Sequence, residues 1–291
     1  MFFPVSSTSH LVLSQHILIN RGSALPNPET PEMLLFDLVV HVGTLVSIAV
    51  VFRRQLSGFL RSVLHEFAGA RGGSGGERSA AAGAFSPVPG RPGGRDRPPY
   101  LFTRLLILGL VSTAVSGVLG LPLFRLAEQV FARPIMIAAT LTITGVLLYW
   151  TDVVPPRERG LRDITLTVAL AIGIAQALSL LPGLSRSGLT IVAALAVGLK
   201  RPWAAQYSFF IAFPTIIAAT GLQSVLALRG AGPVSISAAA QLTGFAVAAV
   251  VGIFALKLVV TLLYRAKFRY FAYYVWTVAA AVVVTVGLGR L

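Results

Sequence analysis

The chain contains six uninterrupted apolar runs, each about long enough to cross a lipid bilayer. A helix needs about 20 apolar residues to span a hydrocarbon core of ~30 Å. Of the 291 residues, 55% are hydrophobic and 12% are charged, which is about half the charged fraction of an average soluble domain. We therefore predict an all-α integral membrane protein and exclude a soluble enzyme, a disordered protein and a transcription factor. The runs are 34–52, 105–122, 134–151, 204–227, 238–263 and 271–289.

Two further apolar stretches, 1–19 and 164–200, are broken near their middles by short polar segments. Basic residues flank 164–200 on both sides, which predicts that this stretch enters the membrane and returns as a re-entrant hairpin. The same count of loops predicts that 1–19 enters the membrane from the opposite face. The two breaks resemble each other, so we predict two re-entrant helical hairpins related as inverted-topology repeats, whose broken helices meet at a central site.

The charge distribution predicts the orientation. Arginine accounts for 21 of the 24 basic residues, and most of these lie between apolar runs, which is typical of the positive-inside rule and not of nucleic-acid binding. The segment 53–104 carries nine arginines and is predicted to be a cytoplasmic loop, with a flexible, Gly/Ser/Pro-rich part at 66–100. The chain is predicted to form a single polytopic membrane domain over 1–291. It has no cysteine, which excludes disulfides and thiolate chemistry.

The second break holds a charged residue, Arg186, in the middle of an apolar stretch. A charge at membrane depth is costly unless it is paired or solvated. Ser185 and Ser187 flank it, and Gly183 and Gly188 permit close backbone approach. Hydroxyls, helix-start amides and a planar guanidinium together favour a phosphate or diphosphate ligand. The structural alternative is an arginine that ties two helices together through their carbonyls.

The first break offers hydroxyls beside a histidine, the minimal arrangement of a nucleophile and a general base. Ser7 and His10 are three residues apart, so a helix that begins near Ser6 would place them on one face. Ser6 and Thr8 add hydroxyls for substrate binding. The alternative is ordinary helix capping with a hydrogen-bonded histidine, and the presence of Arg186 at the other break favours the functional interpretation.

Other polar residues within the spans leave alternatives open. Asp37 and His41 are spaced i, i+4 and would complete a polar site, supply a metal ligand or bond to each other. Gln206 and Ser208, which precede Pro214, indicate either a kinked helix that lines a cavity or simple packing.

Aromatic residues near the ends of the runs are interpreted as interfacial anchors. They include Trp150, Trp203, Trp276 and the pair Tyr273 and Tyr274.

Taken together, segments 3–10 and 182–188 resemble the undecaprenyl-diphosphatase family of the bacitracin-resistance type, and 36–44 and 207–214 add to the similarity. The resemblance covers essentially the whole chain except 66–100. It implies hydrolysis of undecaprenyl diphosphate to the monophosphate and inorganic phosphate in the bacterial plasma membrane. That reaction recycles the lipid carrier of peptidoglycan synthesis and confers bacitracin resistance.

The resemblance also implies residue roles and a cofactor. Ser7 matches the nucleophile, His10 the family's histidine and Arg186 the arginine that binds phosphate, and a divalent cation, magnesium or calcium, is expected. The family's first motif normally follows a helix with two glutamates, and Met1 stands at the position of the second. We therefore expect a glutamate-bearing helix upstream of this start. Asp37 is the one carboxylate in this sequence that could substitute for these glutamates. A homodimer is left open.

A runner-up function belongs to another class. Inverted repeats with broken helices are also a transporter architecture, so a transporter or flippase for a prenyl phosphate is the alternative. A second lipid-phosphatase superfamily requires histidines after its arginine motif, and it is excluded because all four histidines here precede Arg186. A purely structural membrane protein has no use for polar residues at two hairpin tips.

Overall fold

The computed structural model describes residues 3–20, 22, 31–69, 100–131, 133–229, 237–265 and 267–288, and within these ranges it contains ten α-helices and no strand. Five of the helices are long and apolar enough to cross a bilayer. The helices are α1 Ser7–Asn20, α2 Pro31–Val51, α3 Arg53–Gly69, α4 Leu101–Phe131, α5 Pro134–Val153, α6 Leu166–Leu178, α7 Arg186–Ala196, α8 Arg201–Arg229, α9 Ala238–Tyr264 and α10 Arg269–Gly287.

Five of the six predicted spans are confirmed, in α4, α5, α8, α9 and α10. The sixth run, 34–52, falls in α2, which turns by 80° into α3. The pair meets the criteria for a membrane segment only when the two helices are taken together. The all-α membrane fold with about six spans is therefore confirmed, whereas the inverted-repeat relation stays a prediction.

The prediction that 53–104 is a loop is wrong for its first part, because Arg53–Gly69 is helical. One face of α3 is apolar and packs into the core: Phe59 and Val63 are buried, and the Phe59 ring lies 4.3 Å from that of Phe210. The other side of the helix carries arginines. Such a helix lacks a long apolar run, so its sequence does not indicate a membrane span. Residues 70–99 lie outside the described residues.

The end of α3 also has a defined role, although 66–69 was assigned to a flexible loop. Glu66 accepts hydrogen bonds from the backbone N–H groups of Phe102 and Thr103, at 3.0 and 2.7 Å. These are unsatisfied donors in the first turn of α4, and a carboxylate suits the positive end of that helix. Glu66 thus joins the end of α3 to the start of α4.

The broken stretch 164–200 forms a helical hairpin. Its helices, α6 and α7, have 13 and 11 residues, so each is about 20 Å long or less and too short to span the membrane alone. At the base, Arg159 N donates to Gly198 O (3.1 Å) and Lys200 N donates to Arg159 O (3.0 Å). The chain therefore enters and leaves at the same end of the molecule, as a re-entrant segment requires.

Guanidinium groups hold the base of this hairpin and its neighbours. Arg104 donates to Ile164 O at 2.8 Å, and Arg201 donates to Thr151 O at 2.6 Å. Arg159 donates to a carbonyl at the end of α7 at 2.7 Å. Helix C-termini leave carbonyls without intrahelical partners, and these arginines satisfy several of them.

Small residues allow the long helices to approach closely. Where α2 meets α9, a methyl group added at Gly43 would lie 2.6 Å from Phe245 O, and one at Gly244 would lie 2.8 Å from the Phe36 ring. Ser47 Oγ donates to Ala249 O across the same interface, at 2.8 Å. Without a hydrophobic driving force between helices in lipid, such contacts hold a membrane bundle together.

Candidate active site

The two predicted breaks meet inside the protein. Gly183 N donates a hydrogen bond to Ser6 Oγ at 3.1 Å, although the two residues are 177 positions apart. Ser6 is 6% exposed, and its hydroxyl also lies 2.9 Å from Ser9 Oγ. Ser7 begins α1 directly after Ser6, and Arg186 begins α7 three residues after Gly183. The contact therefore places the starts of the two helices side by side.

Gly183 is required by both its backbone conformation and its surroundings. Its φ is +93°, in the left-handed region that favours glycine. A side chain there would overlap the hydroxyl of Thr140. Ser6 also has a positive φ, +58°. For a residue with a side chain this conformation is uncommon, and such strain is concentrated at functional sites.

Two threonines of α5 hold the second tip. Thr140 Oγ1 donates to Pro182 O at 2.5 Å, and Thr144 Oγ1 donates to Gly183 O at 2.7 Å. Thr144 Oγ1 also accepts from Ser185 N at 3.3 Å. The tip backbone thus finds partners on a neighbouring helix, because a turn at this depth has no intrahelical bonds of its own.

The start of α7 has the form of an anion site. Ser185 caps the helix by accepting from Gly188 N at 3.3 Å, and Ser187 Oγ lies 3.4 Å from Ser185 Oγ. Arg186 is the first residue of the helix. A helix N-terminus concentrates partial positive charge and N–H donors, and a guanidinium adds a full charge with a planar fork of donors.

His10 is fixed through both ring nitrogens. Nδ1 lies 2.9 Å from Ser6 O, and Nε2 lies 3.0 Å from the hydroxyl of Tyr274. A carbonyl only accepts, so Nδ1 carries the proton, and the Tyr274 O–H donates to Nε2. The His10 and Tyr274 rings are also nearly parallel, 8° apart, with centroids separated by 5.6 Å. The lone pair that could act as a base is therefore on Nε2.

The structure places the predicted residues as follows. Ser6, Gly183, Ser185, Ser187 and Gly188 lie together around the meeting of the two tips. Ser7 and His10 lie in the first turn of α1, and among the described contacts no hydrogen bond joins their side chains. The side chains of Thr8 and Asp37 lie outside the described residues. The roles assigned to these residues stay predictions.

A divalent cation does not fit the described side chains. Three described carboxylates cap backbone N–H groups away from the tips: Glu66 at the start of α4, Asp152 at the start of α10 and Asp163 at Gly160. Within the described ranges no three His, Asp or Glu residues could together hold a metal. No chemical step is therefore assigned to a cation.

Sequence reasoning missed three residues of this site. Thr140 and Thr144 are spaced i, i+4, a weak signal that one helix face is polar, but they lie within a run interpreted only as a span. Tyr274 was interpreted as an interfacial anchor, whereas its hydroxyl contacts His10. Only the folded structure shows which helix lies beside each tip.

A cavity adjoins Arg186 on the side of α8. Ser208 lines it. Gln206 lines a neighbouring apolar cleft. Of the two alternatives left open for α8, these contacts favour a helix that lines cavities, and Pro214 lies within it.

The fold and the site define a class: a polytopic membrane protein in which the starts of two helices meet at a buried polar centre. The chain belongs to the family described as "Bacitracin resistance protein BacA", which matches residues 1–281. The expectation from the resemblance is thus confirmed at the level of the family.

Relatives of this chain carry one name, undecaprenyl-diphosphatase. The protein of that name from Halorhodospira halophila is 52% identical over 282 residues, covering 97% of this chain and 91% of the relative. The one from Alkalilimnicola ehrlichii is 52% identical over 285 residues, covering 97% and 90%. A third, from Desulfatibacillum aliphaticivorans, is 34% identical over 288 residues, covering 97% and 92%.

The contacts of Thr144 lead to a stability prediction. Thr144→Val keeps the shape but leaves Gly183 O and Ser185 N without their partner, so we expect a loss of about 2–4 kcal/mol of unfolding free energy. Thr142→Val on the same helix is the matched control, because among the described residues the Thr142 hydroxyl bonds to Ala138 O of its own helix and not to the tip. Thermal unfolding of the purified chain in detergent measures both. Equal midpoints for the two variants would contradict the role given to Thr144.

Proposed function

We propose that this chain hydrolyses undecaprenyl diphosphate to undecaprenyl phosphate and inorganic phosphate. One observation carries the proposal: the hydrogen bond from Gly183 N to Ser6 Oγ sets the Ser7–His10 turn beside the helix start that bears Arg186. The name shared by the relatives at 52% identity supports it. The reaction recycles the lipid carrier of peptidoglycan synthesis, and through it the protein confers bacitracin resistance.

The first requirement of this reaction is charge neutralisation. A diphosphate carries several negative charges, and its transition state needs fixed positive groups around the transferred phosphoryl group. Arg186 supplies one such group, with two parallel N–H donors for two phosphate oxygens. The N–H groups at the start of α7 supply further donors. The tip is rigid because Thr140 and Thr144 hold its carbonyls.

The second requirement is a nucleophile. Ser7 Oγ attacks the distal phosphorus, the bond to the bridging oxygen breaks, and undecaprenyl phosphate leaves while a phosphoserine forms. His10 Nε2 takes the hydroxyl proton once its bond to Tyr274 opens, and it passes that proton to the leaving oxygen. Water then hydrolyses the phosphoserine, restores the Ser7 hydroxyl and releases inorganic phosphate.

A magnesium or calcium ion is proposed from the family resemblance alone. The described side chains offer no carboxylate at the tips, so any protein ligand would come from acidic residues outside them, of which Asp37 is the candidate. When bound, such an ion neutralises diphosphate charge.

The proposed location is the bacterial plasma membrane, with the arginine-rich end and residues 53–104 on the cytoplasmic side. The positive-inside rule supports this orientation. In support, Arg104, Arg159 and Arg201 all lie at the end of the molecule where the hairpin 164–200 enters and leaves. We propose one membrane domain over 1–291.

The decisive assay measures both products from undecaprenyl diphosphate with the purified full chain in detergent or liposomes. We expect release of phosphate and of the lipid monophosphate, and a fall of about 100-fold or more for Ser7→Ala. Ser14→Ala on the same helix is the control, since Ser14 bonds only to a carbonyl of its own helix. A parallel reaction with a metal chelator tests whether hydrolysis requires a divalent cation. Movement of a prenyl phosphate across the liposome membrane without hydrolysis would favour the alternative function, a transporter or flippase.

The position of Tyr274 predicts a selective effect on turnover. Tyr274→Phe keeps the stacked ring but removes the hydroxyl that orients His10, so we expect kcat to fall up to about tenfold with an unchanged KM. Tyr273→Phe is a close control, because both tyrosines are 48% exposed and adjacent. Initial rates over a range of substrate concentrations decide the point. Equal rates for the two variants would mean that Tyr274 is only an anchor.

The planar guanidinium of Arg186 predicts that even the conservative substitution by lysine causes a large loss of activity. An ammonium cannot form two parallel bonds to phosphate oxygens, so we expect Arg186→Lys to lose nearly as much of kcat/KM as Arg186→Ala, about 2–5 kcal/mol. Arg201→Lys serves as a control for the change in residue type, since Arg201 bonds to carbonyls at the other end of the hairpin. Full activity in Arg186→Lys would show that Arg186 is structural.

A further inference from the structure

Helix α3 stays close to one end of the molecule along its whole length. It follows α2 after a turn of 80°, and Glu66 near its far end caps the start of α4. The Phe59 ring contacts that of Phe210, which at 1.5 Å per residue lies within about 14 Å of the start of α8. The starts of α4 and α8 are both at the base of the hairpin 164–200. The helix therefore lies near the level at which this end of the protein meets the membrane surface.

Two different sides of α3 are apolar. Phe59 and Val63 are buried against the protein. Leu60, Leu64 and Phe67 are 56%, 59% and 61% exposed, and their spacing of i, i+4 and i+7 puts them on one face. Because the protein is embedded in lipid, this exposed apolar face is in contact with acyl chains.

A basic side lies next to the exposed apolar face. Arg54, Arg61 and His65 are exposed, and their spacing of i, i+7 and i+11 puts them together on the helix surface. The one acidic residue of α3, Glu66, is already bonded to two N–H groups of α4. Among the residues that the structure describes, no side chain forms an ion pair or hydrogen bond with the guanidinium of Arg54 or Arg61. These two charges are therefore available to an anion outside the described chain.

The anion that fits is the headgroup of an acidic phospholipid. The segment 70–99 is itself basic, with five arginines and two acidic residues, so its net charge disfavours it as the partner. A helix with arginines on one side and leucine and phenylalanine on the next lies in the plane of the membrane interface. There its apolar face reaches the acyl chains, and its arginines are attracted to anionic headgroups.

We propose that α3 is an interfacial helix that binds anionic phospholipid headgroups through Arg54 and Arg61, while Leu60, Leu64 and Phe67 insert among the acyl chains. This interaction goes beyond the proposed hydrolysis, and it can be measured without turnover. Headgroup binding stabilises the folded bundle, because ligands that bind the native state shift unfolding and because α3 is joined to α4 and α8.

The first test titrates the purified full chain in detergent with phosphatidylglycerol or phosphatidylcholine and records the thermal unfolding midpoint. We expect phosphatidylglycerol to raise the midpoint and phosphatidylcholine to leave it unchanged. The double variant Arg54→Gln/Arg61→Gln should raise the half-saturating phosphatidylglycerol concentration about 25-fold, since each arginine near an anionic surface contributes about fivefold. The control Arg265→Gln/Lys267→Gln removes the same charge from exposed residues at the same end, outside α3, and should change that concentration less than about threefold.

The second test locates the two exposed sides of α3 in liposomes. The chain has no cysteine, so Leu64→Cys and His65→Cys each provide a single site for a spin label. We expect oxygen, which dissolves in lipid, to reach the label at residue 64, and a water-soluble nickel complex to reach the label at residue 65.

Four results would overturn the proposal. Two concern the lipids: equal effects of phosphatidylglycerol and phosphatidylcholine on the parent chain, or a parent-like half-saturating concentration in Arg54→Gln/Arg61→Gln. The third is an equal loss in the control variant, which would mean that binding follows net charge and not α3. The fourth is a label at residue 64 that oxygen does not reach, which would place water or another protein against this face. Absence of hydrolysis by the parent chain affects none of these measurements.

Discussion

A chain that turns back inside a membrane leaves backbone groups that water cannot reach, and the rest of this structure depends on how those groups are satisfied. Here side-chain hydroxyls do so. Thr140 and Thr144 bond the carbonyls of one tip, and Ser6 accepts from the N–H of Gly183. The same bonds bring the first turn of α1 to the start of α7, so one set of contacts both stabilises the break and joins the two segments of the candidate site.

Hydroxyl groups also organise the cavity behind Arg186. Ser116 and Thr215 donate their hydroxyl protons to helix carbonyls, so both hydroxyl oxygens accept from Gln176 Nε2. This fixes the orientation of the Gln176 amide, whose oxygen bonds to neither hydroxyl.

The sequence predicted the membrane class, five of the spans, the hairpin 164–200 and the family, because these follow from apolar run length, basic loops and two compact motifs. It did not predict α3, because arginines and other polar residues interrupt its apolar residues and leave no long apolar run. Thr144 and Tyr274 were also missed. Their importance comes from which helix packs beside which tip, and that information is long-range and absent from local spacing.

Three of the side-chain contacts that hold the base of the hairpin use no carboxylate. Arg104, Arg159 and Arg201 bond to backbone carbonyls, and neither an arginine nor a peptide group changes its protonation at any pH that a cell meets. A fall in pH therefore leaves these three arginine–carbonyl contacts in place.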